Sequence, residues 1–164
     1  MITNIPRLTP ISISIGYNGI DLCGEDGIEE NQVGYSISSS GVTFVGANNG
    51  DWKNEWVVIG SEACCGDPIF IDTSIPEFPV YTAVHGEGRW SPVLISNSYQ
   101  GLLKITEKLG ILATGREYPT RLESKPMTQN EYDEFLRQVA DLGELQDTLF
   151  WARMISDEEA GVGI

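Results

Sequence analysis

The stretch that decides the fold runs from Trp56 to Leu103. It reads Trp56-Val57-Val58-Ile59-Gly60, then Gly66-Asp67-Pro68-Ile69-Phe70-Ile71-Asp72, then Pro79-Val80-Tyr81, then Ile95-Ser96-Asn97-Ser98-Tyr99-Gln100-Gly101-Leu102-Leu103. Short runs rich in β-branched and aromatic residues predict strands at 55–60, 68–72, 79–84 and 92–95. Pro68, Pro79 and Pro92 stand at strand starts, where a missing N–H costs the ladder least. Connections of about seven residues are too short for the crossover that parallel neighbours need, so the strands form an antiparallel meander. Asn97 or Ser96 then caps a helix at about 98–109 with Tyr99, Leu102, Leu103 and Leu109 on one face, and Gly110 as its stop.

Toward the N-terminus, Ile11, Ile13 and Ile15 alternate with Ser12 and Ser14, the period of a strand with one buried face. Gly16-Tyr17-Asn18-Gly19 reads as the turn that ends it. The acidic run from Glu25 to Gln32 has room for one helical turn around Ile28. Tyr35-Ser36-Ile37 and Val42-Thr43-Phe44-Val45 flank Ser38 to Gly41 as a hairpin, and Asn48-Asn49-Gly50-Asp51 is a further turn. Toward the C-terminus the chain is helical over about 127–156. Thr128 and Glu131 form a capping box, with Met127 and Tyr132 placed as a hydrophobic staple. Tyr132, Phe135, Leu136 and Val139 make one apolar face, and Leu145, Leu149, Ala152 and Ile155 continue at helical spacing after Gly143. No internal repeat interrupts this order. The expectation is one α+β domain over 1–164, a central antiparallel sheet flanked by helices.

At 164 residues, 41% of them apolar and 21% charged, the chain can bury a core of ordinary size, roughly 68–70% of its unfolded surface. It shows no apolar leader segment and no run near the ~18 residues of a membrane span, and so reads as cytoplasmic. The net charge is −14. That field repels phosphate backbones and anionic membranes, which disfavours nucleic-acid and membrane partners. It attracts a basic protein; an acidic surface that serves solubility alone is the competing reading.

The charge is uneven. From Leu8 to Trp52 there is no Lys or Arg, while Asp21, Glu25, Asp26, Glu29, Glu30 and Asp51 are acidic. A second acidic block is Asp157-Glu158-Glu159, whereas 101–126 leans basic through Lys104, Lys108, Arg116, Arg121 and Lys125. The acidic stretch from Asp21 to Glu30 is therefore a candidate surface for a positively charged partner. Trp52 and Trp90 lie beside turns, where tryptophan serves either as an interface anchor or as partly buried cover for the sheet. Trp56 and Trp151 fall on apolar faces and read as packed.

Catalytic chemistry has thinner support. Asp67, Asp72, His85, Glu87 and Arg89 could assemble a hydrolytic site around the chain's single histidine, in His85-Gly86-Glu87-Gly88-Arg89-Trp90. No nucleophile elbow or phosphate-cradling glycine loop accompanies them. Asp67 between Gly66 and Pro68, and Asp72 before Thr73-Ser74, also suit turns in which a carboxylate accepts backbone N–H groups. The three cysteines, Cys23, Cys64 and Cys65, lack zinc-ligand spacing and read as reduced, buried or half-buried side chains. No cofactor or metal is expected.

The ordered set from Trp56 to Leu103 resembles the SUKH superfamily, which includes bacterial immunity proteins and fungal cell-wall-synthesis regulators. The resemblance rests on the Trp-led apolar strand ending in Gly60, the Gly66-Asp67-Pro68-Ile69 run closing at Asp72, Pro79-Val80-Tyr81, and the helix led by Ser98-Tyr99. It implies an antiparallel sheet flanked by helices. It further implies a protein that binds and neutralises a polymorphic toxin, often a nuclease, without an enzymatic activity of its own. The chain departs from the pattern at its N-terminus, where Asn18-Gly19 follows an isoleucine-rich strand and no long helix precedes it. A regulatory or scaffold protein binding another protein or a small ligand is the alternative, and a hydrolase centred on His85 a third.

Overall fold

The computed structural model describes Ile2 and residues 4–156. Six strands, β1 (Ile11–Ile15), β2 (Asn18–Leu22), β3 (Trp56–Glu62), β4 (Pro68–Asp72), β5 (Val80–Thr82) and β6 (Val93–Ser96), form one sheet in chain order. Each neighbouring pair is antiparallel; the short connections require it for every pair except β2 and β3, which are joined by the long segment 23–55. Three helices follow: α1 (Tyr99–Ala113), α2 (Gln129–Gly143) and α3 (Leu149–Met154).

Alternation along the strands feeds two separate cores. Val57 and Ile59 of β3, Ile69 and Ile71 of β4 and Val80 of β5 point to one face, where they meet Leu102, Ile105, Leu109, Phe135, Val139 and Trp151 of the helices. Val58 and Phe70, one residue out of phase, point to the other face and pack with Trp52 and Ala83 under Tyr35, Trp56, Tyr81 and Trp90. All three helices contribute to the first core and none to the second. The second is closed by the long connection between β2 and β3. The β3–β4 pairing shifts register between Val58 and Gly60, and on the other side of β3 the β2 backbone passes very close to Gly60. A Cβ at Gly60 would overlap the Asp21 carbonyl oxygen, so glycine is required there.

The helix ends have identifiable causes. Ser98 Oγ accepts the Gly101 N–H at the start of α1, in place of the expected Asn97 or Ser96. Gly110 does not stop α1, because it lies within the helix over Ile13 of β1; the left-handed turn comes at Gly115, with φ +75°. The capping box at α2 is complete, with Thr128 and Glu131 each bonding the other's backbone. α2 ends at Gly143 through a left-handed Glu144, and the next helix is the short α3.

Three expectations are corrected. Asn18-Gly19 is not the end of a turn: Gly16 and Tyr17 alone make a two-residue hairpin loop, with Gly16 at φ +57°, and Asn18 opens β2. The 35–45 hairpin reduces to isolated bridges, Ile37 with Thr43 and Val33 with Ile37. Cys64 is exposed at the β3–β4 turn, while Cys23 and Cys65 are half-buried as expected. The acidic block Asp157-Glu158-Glu159 lies outside the described residues.

Candidate protein-binding surface

The acidic stretch is a supported ridge. Asp21 stands on β2 opposite Ser12, whose hydroxyl donates to its carboxylate at 2.5 Å. Glu25 and Asp26 occupy one 3₁₀ turn, Glu25–Gly27; Glu29 and Glu30 lead into a second, Glu30–Gln32. All five acidic side chains are exposed. Between them Ile28, 7% exposed, and Gln32, 6% exposed, reach inward as anchors.

Gln32 does what an absent strand would do. β2 stops pairing with β3 at Leu22 and Gly60, which leaves the backbone of Val58 facing no strand on that side. The Gln32 amide fills the gap. Its Nε2 donates to Val58 O at 2.8 Å and to Ile28 O at 2.7 Å, and its Oε1 accepts from Val58 N at 3.0 Å. The acids therefore project from a backbone fixed to the central strand. Among the described residues the side-chain ion pairs join Arg116 to Glu131, Arg121 to Glu123, Arg137 to Glu134 and Asp141, and His85 to Asp67. None of them engages the ridge. Arg7, just before the Lys- and Arg-free stretch, lines a groove of about 580 Å³ together with Glu25, Asp26 and Glu29, and is the nearest cation in sequence.

Of the two tryptophans expected at the surface, Trp52 is fully buried, which corrects its assignment as a partner contact. It sits at the centre of the second core, with ring centroids 4.9 Å from Phe70, 5.1 Å from Trp90 and 5.5 Å from Trp56, and its Nε1 donates to Trp56 O at 3.1 Å. Trp90 is half-buried and covers it. The backbone N–H of Trp90 donates to Gly50 O at 2.8 Å, tying the glycine-rich 85–90 connection to the 48–52 turn. Between these two segments lies a groove of about 350 Å³, lined by Tyr35, Phe44, Trp52 and Trp90, with Arg89 and Asp51 also on its walls. Tyr35 and Phe44 carry no motif that marks them in the sequence. In the sequence they read only as arms of the expected 35–45 hairpin.

The residues of the hydrolytic reading separate. His85 Nδ1 lies 2.6 Å from Asp67 Oδ1, and the same oxygen accepts the His85 backbone N–H at 3.0 Å. Asp72 instead accepts from the Ser74 N–H and hydroxyl, the turn role its sequence suggested. Glu87 and Arg89 are exposed and form no ion pair among the described residues. The thiol nearest in sequence to Asp67 that is half-buried, Cys65, is pushed up to about 11, first by burial and then by Cys64 and nearby carboxylates, so it is not a ready thiolate. Elsewhere, buried Arg116 bonds the carbonyls of Leu112, Lys125 and Pro126 and the Glu131 carboxylate, joining α1 to the start of α2. The Thr128 backbone N–H and then Arg116 hold the Glu131 carboxyl below its usual range.

Among the described residues no helix is long and apolar enough to cross a membrane. Comparison with protein-family models, curated proteins and solved structures finds no match to this chain.

Proposed function

We propose that this protein is a non-enzymatic binding protein of the SUKH type, an immunity protein that covers a basic toxin with its acidic surface. The observation that carries the reading is the ridge itself: five exposed carboxylates, outside every ion pair among the described residues, on a backbone anchored to β3 by Gln32. Like charges held together at low exposed counter-charge repel one another, and a basic surface relieves that repulsion. The antiparallel sheet followed by a capped helix is the architecture that the family resemblance calls for. The net charge of −14 favours fast encounter with a cationic protein and disfavours nucleic acid.

The test is neutralisation. A partner captured from the source cell by pull-down, or a secreted toxin domain where a neighbouring reading frame encodes one, is produced with and without the protein in a sensitive host. Survival on co-expression, together with a stable one-to-one complex on gel filtration, is the expected result. Toxicity unrelieved and no complex would refute the reading. The hydrolytic alternative has one observation in its favour, the Asp67–His85 pair. Against it, the half-buried Cys65 thiol nearby in sequence is pushed up to about 11, chiefly by burial, and is not a ready thiolate. Turnover of a chromogenic ester that vanishes in His85→Ala would revive it.

A further inference from the structure

The groove beside Trp90 and the acidic ridge adjoin. Three residues lie between Glu30 and Gly34, four chain steps of at most about 14 Å in all, and Gly34 and Tyr35 already line the groove. The geometry points to this groove as the apolar anchor pocket of the binding surface: it receives one large uncharged side chain of a partner segment whose flanking residues are cationic. The inference rests on the proposed binding function and names the chemistry of the segment bound.

Three features choose that occupant. Phe44, on the groove wall, is 48% exposed, so apolar surface is open there, while Trp52 at the groove floor is itself fully covered. Burying such surface is what gives an interface its energetic centre, with charges at the rim. Arg89 stands at the groove with no ion pair among the described residues, and it repels a cation from the interior. Asp51, the acid on the wall, already accepts the Asn48 N–H at 2.8 Å and closes its own turn. The cations of the partner are thereby directed outward, toward Glu30 at the near end of the ridge, and the uncharged residue inward. Gly86 and Gly88, at φ +81° and +73° with open space around them, add no side chain to the wall that carries Arg89 and Trp90.

The experiment uses the full chain and two capped peptides of equal charge, Ac-Lys-Lys-Leu-Lys-Lys-NH2 and Ac-Lys-Lys-Ser-Lys-Lys-NH2. Binding is followed by tryptophan fluorescence and by calorimetry. The leucine peptide should bind about tenfold more tightly than the serine peptide. Phe44→Ala should erase the difference while leaving the serine peptide's affinity unchanged, and Val33→Ser, an exposed apolar residue outside the groove, should leave the preference intact. Circular dichroism confirms that each variant is folded. Equal binding of the two peptides, a preference that survives Phe44→Ala, or no binding by either peptide would overturn the anchor pocket. If both peptides bind equally and both weaken on Glu25→Lys and Glu29→Lys, the pocket fails while the acidic surface stands. If 2-naphthoate binds through Arg89 and the peptides do not, the groove is a small-anion site and the inference is wrong.

Discussion

Replacing Gln32 with alanine is the sharpest perturbation of the architecture that presents the ridge. The side chain makes three hydrogen bonds, and two of them go to the N–H and C=O of Val58, a fully buried residue. Val58 stands opposite Phe70 in the register with β4, yet its backbone groups point the other way, toward Gln32. Gln32→Ala leaves that donor and that acceptor without partners. An unsatisfied buried polar group costs about 1–3 kcal/mol, so the pair predicts a loss of about 2–4 kcal/mol once partial hydration of the gap is allowed. Against a total of about 5–15 kcal/mol for a native domain, this is a large fraction. Urea unfolding followed by tryptophan fluorescence should show the midpoint falling by about 1–2 M at a slope near 2 kcal/mol/M. Glu29→Gln, an exposed change on the same ridge, should shift the midpoint by less than about 0.5 kcal/mol equivalent. A Gln32→Ala midpoint within that same margin would mean that the Val58 backbone is satisfied by something else, and the account of the ridge's support would fail.

Asn18 Nδ2 faces the carbonyls of Arg153, Met154 and Ser156; Asn18→Ala should cost about 1–3 kcal/mol and speed amide exchange at 149–156 before the sheet. Gly60→Ala should destabilise by about 1–3 kcal/mol in thermal melts, because the new Cβ meets the Asp21 carbonyl oxygen. The Glu131 carboxyl is held below its ordinary value of 4.5 by the Thr128 N–H and Arg116, and that of Glu134 is lowered to about 2 by Arg137. Lowered carboxylates stabilise fully above the unfolded value and lose that contribution as pH falls through the folded one. Urea midpoints should thus fall from pH 5 toward pH 2, less steeply in Glu131→Gln, and a slope unchanged by that substitution would contradict the capping role.

Much of this fold is legible because its elements follow local rules. The β-branched runs around Val57, Ile69 and Val80 and the short connections between them suffice for the antiparallel order. Thr128 and Glu131 mark the start of α2 at the residue where it begins. β2 was missed since Asn18-Gly19 is a strong turn pair, although Ile20 and Leu22 alternate around Asp21 as a strand should. The second core is harder to read. Trp52 follows Asn-Gly-Asp turn chemistry, and its burial depends on Phe70 and Trp90, which are distant in sequence and meet it only once the sheet has formed. A buried glutamine that replaces a strand has no sequence mark at all, because Gln32 sits in an exposed acidic run and its partner Val58 is 26 residues away. The acids of the ridge were legible by composition, and their exposure follows from the anchors that sequence could not assign.

The most direct test of the central claim is the association rate of the protein with the inactivated toxin domain, measured by stopped flow from 20 mM to 500 mM salt. The wild type should associate fast at low salt and slow steeply as screening shortens toward a few ångströms. The variant with Glu25, Asp26, Glu29 and Glu30 all changed to lysine should associate at least tenfold more slowly at low salt, with a flattened or reversed salt dependence and a smaller change in dissociation. An association rate and salt dependence identical to those of the wild type would place the binding surface elsewhere and contradict the account.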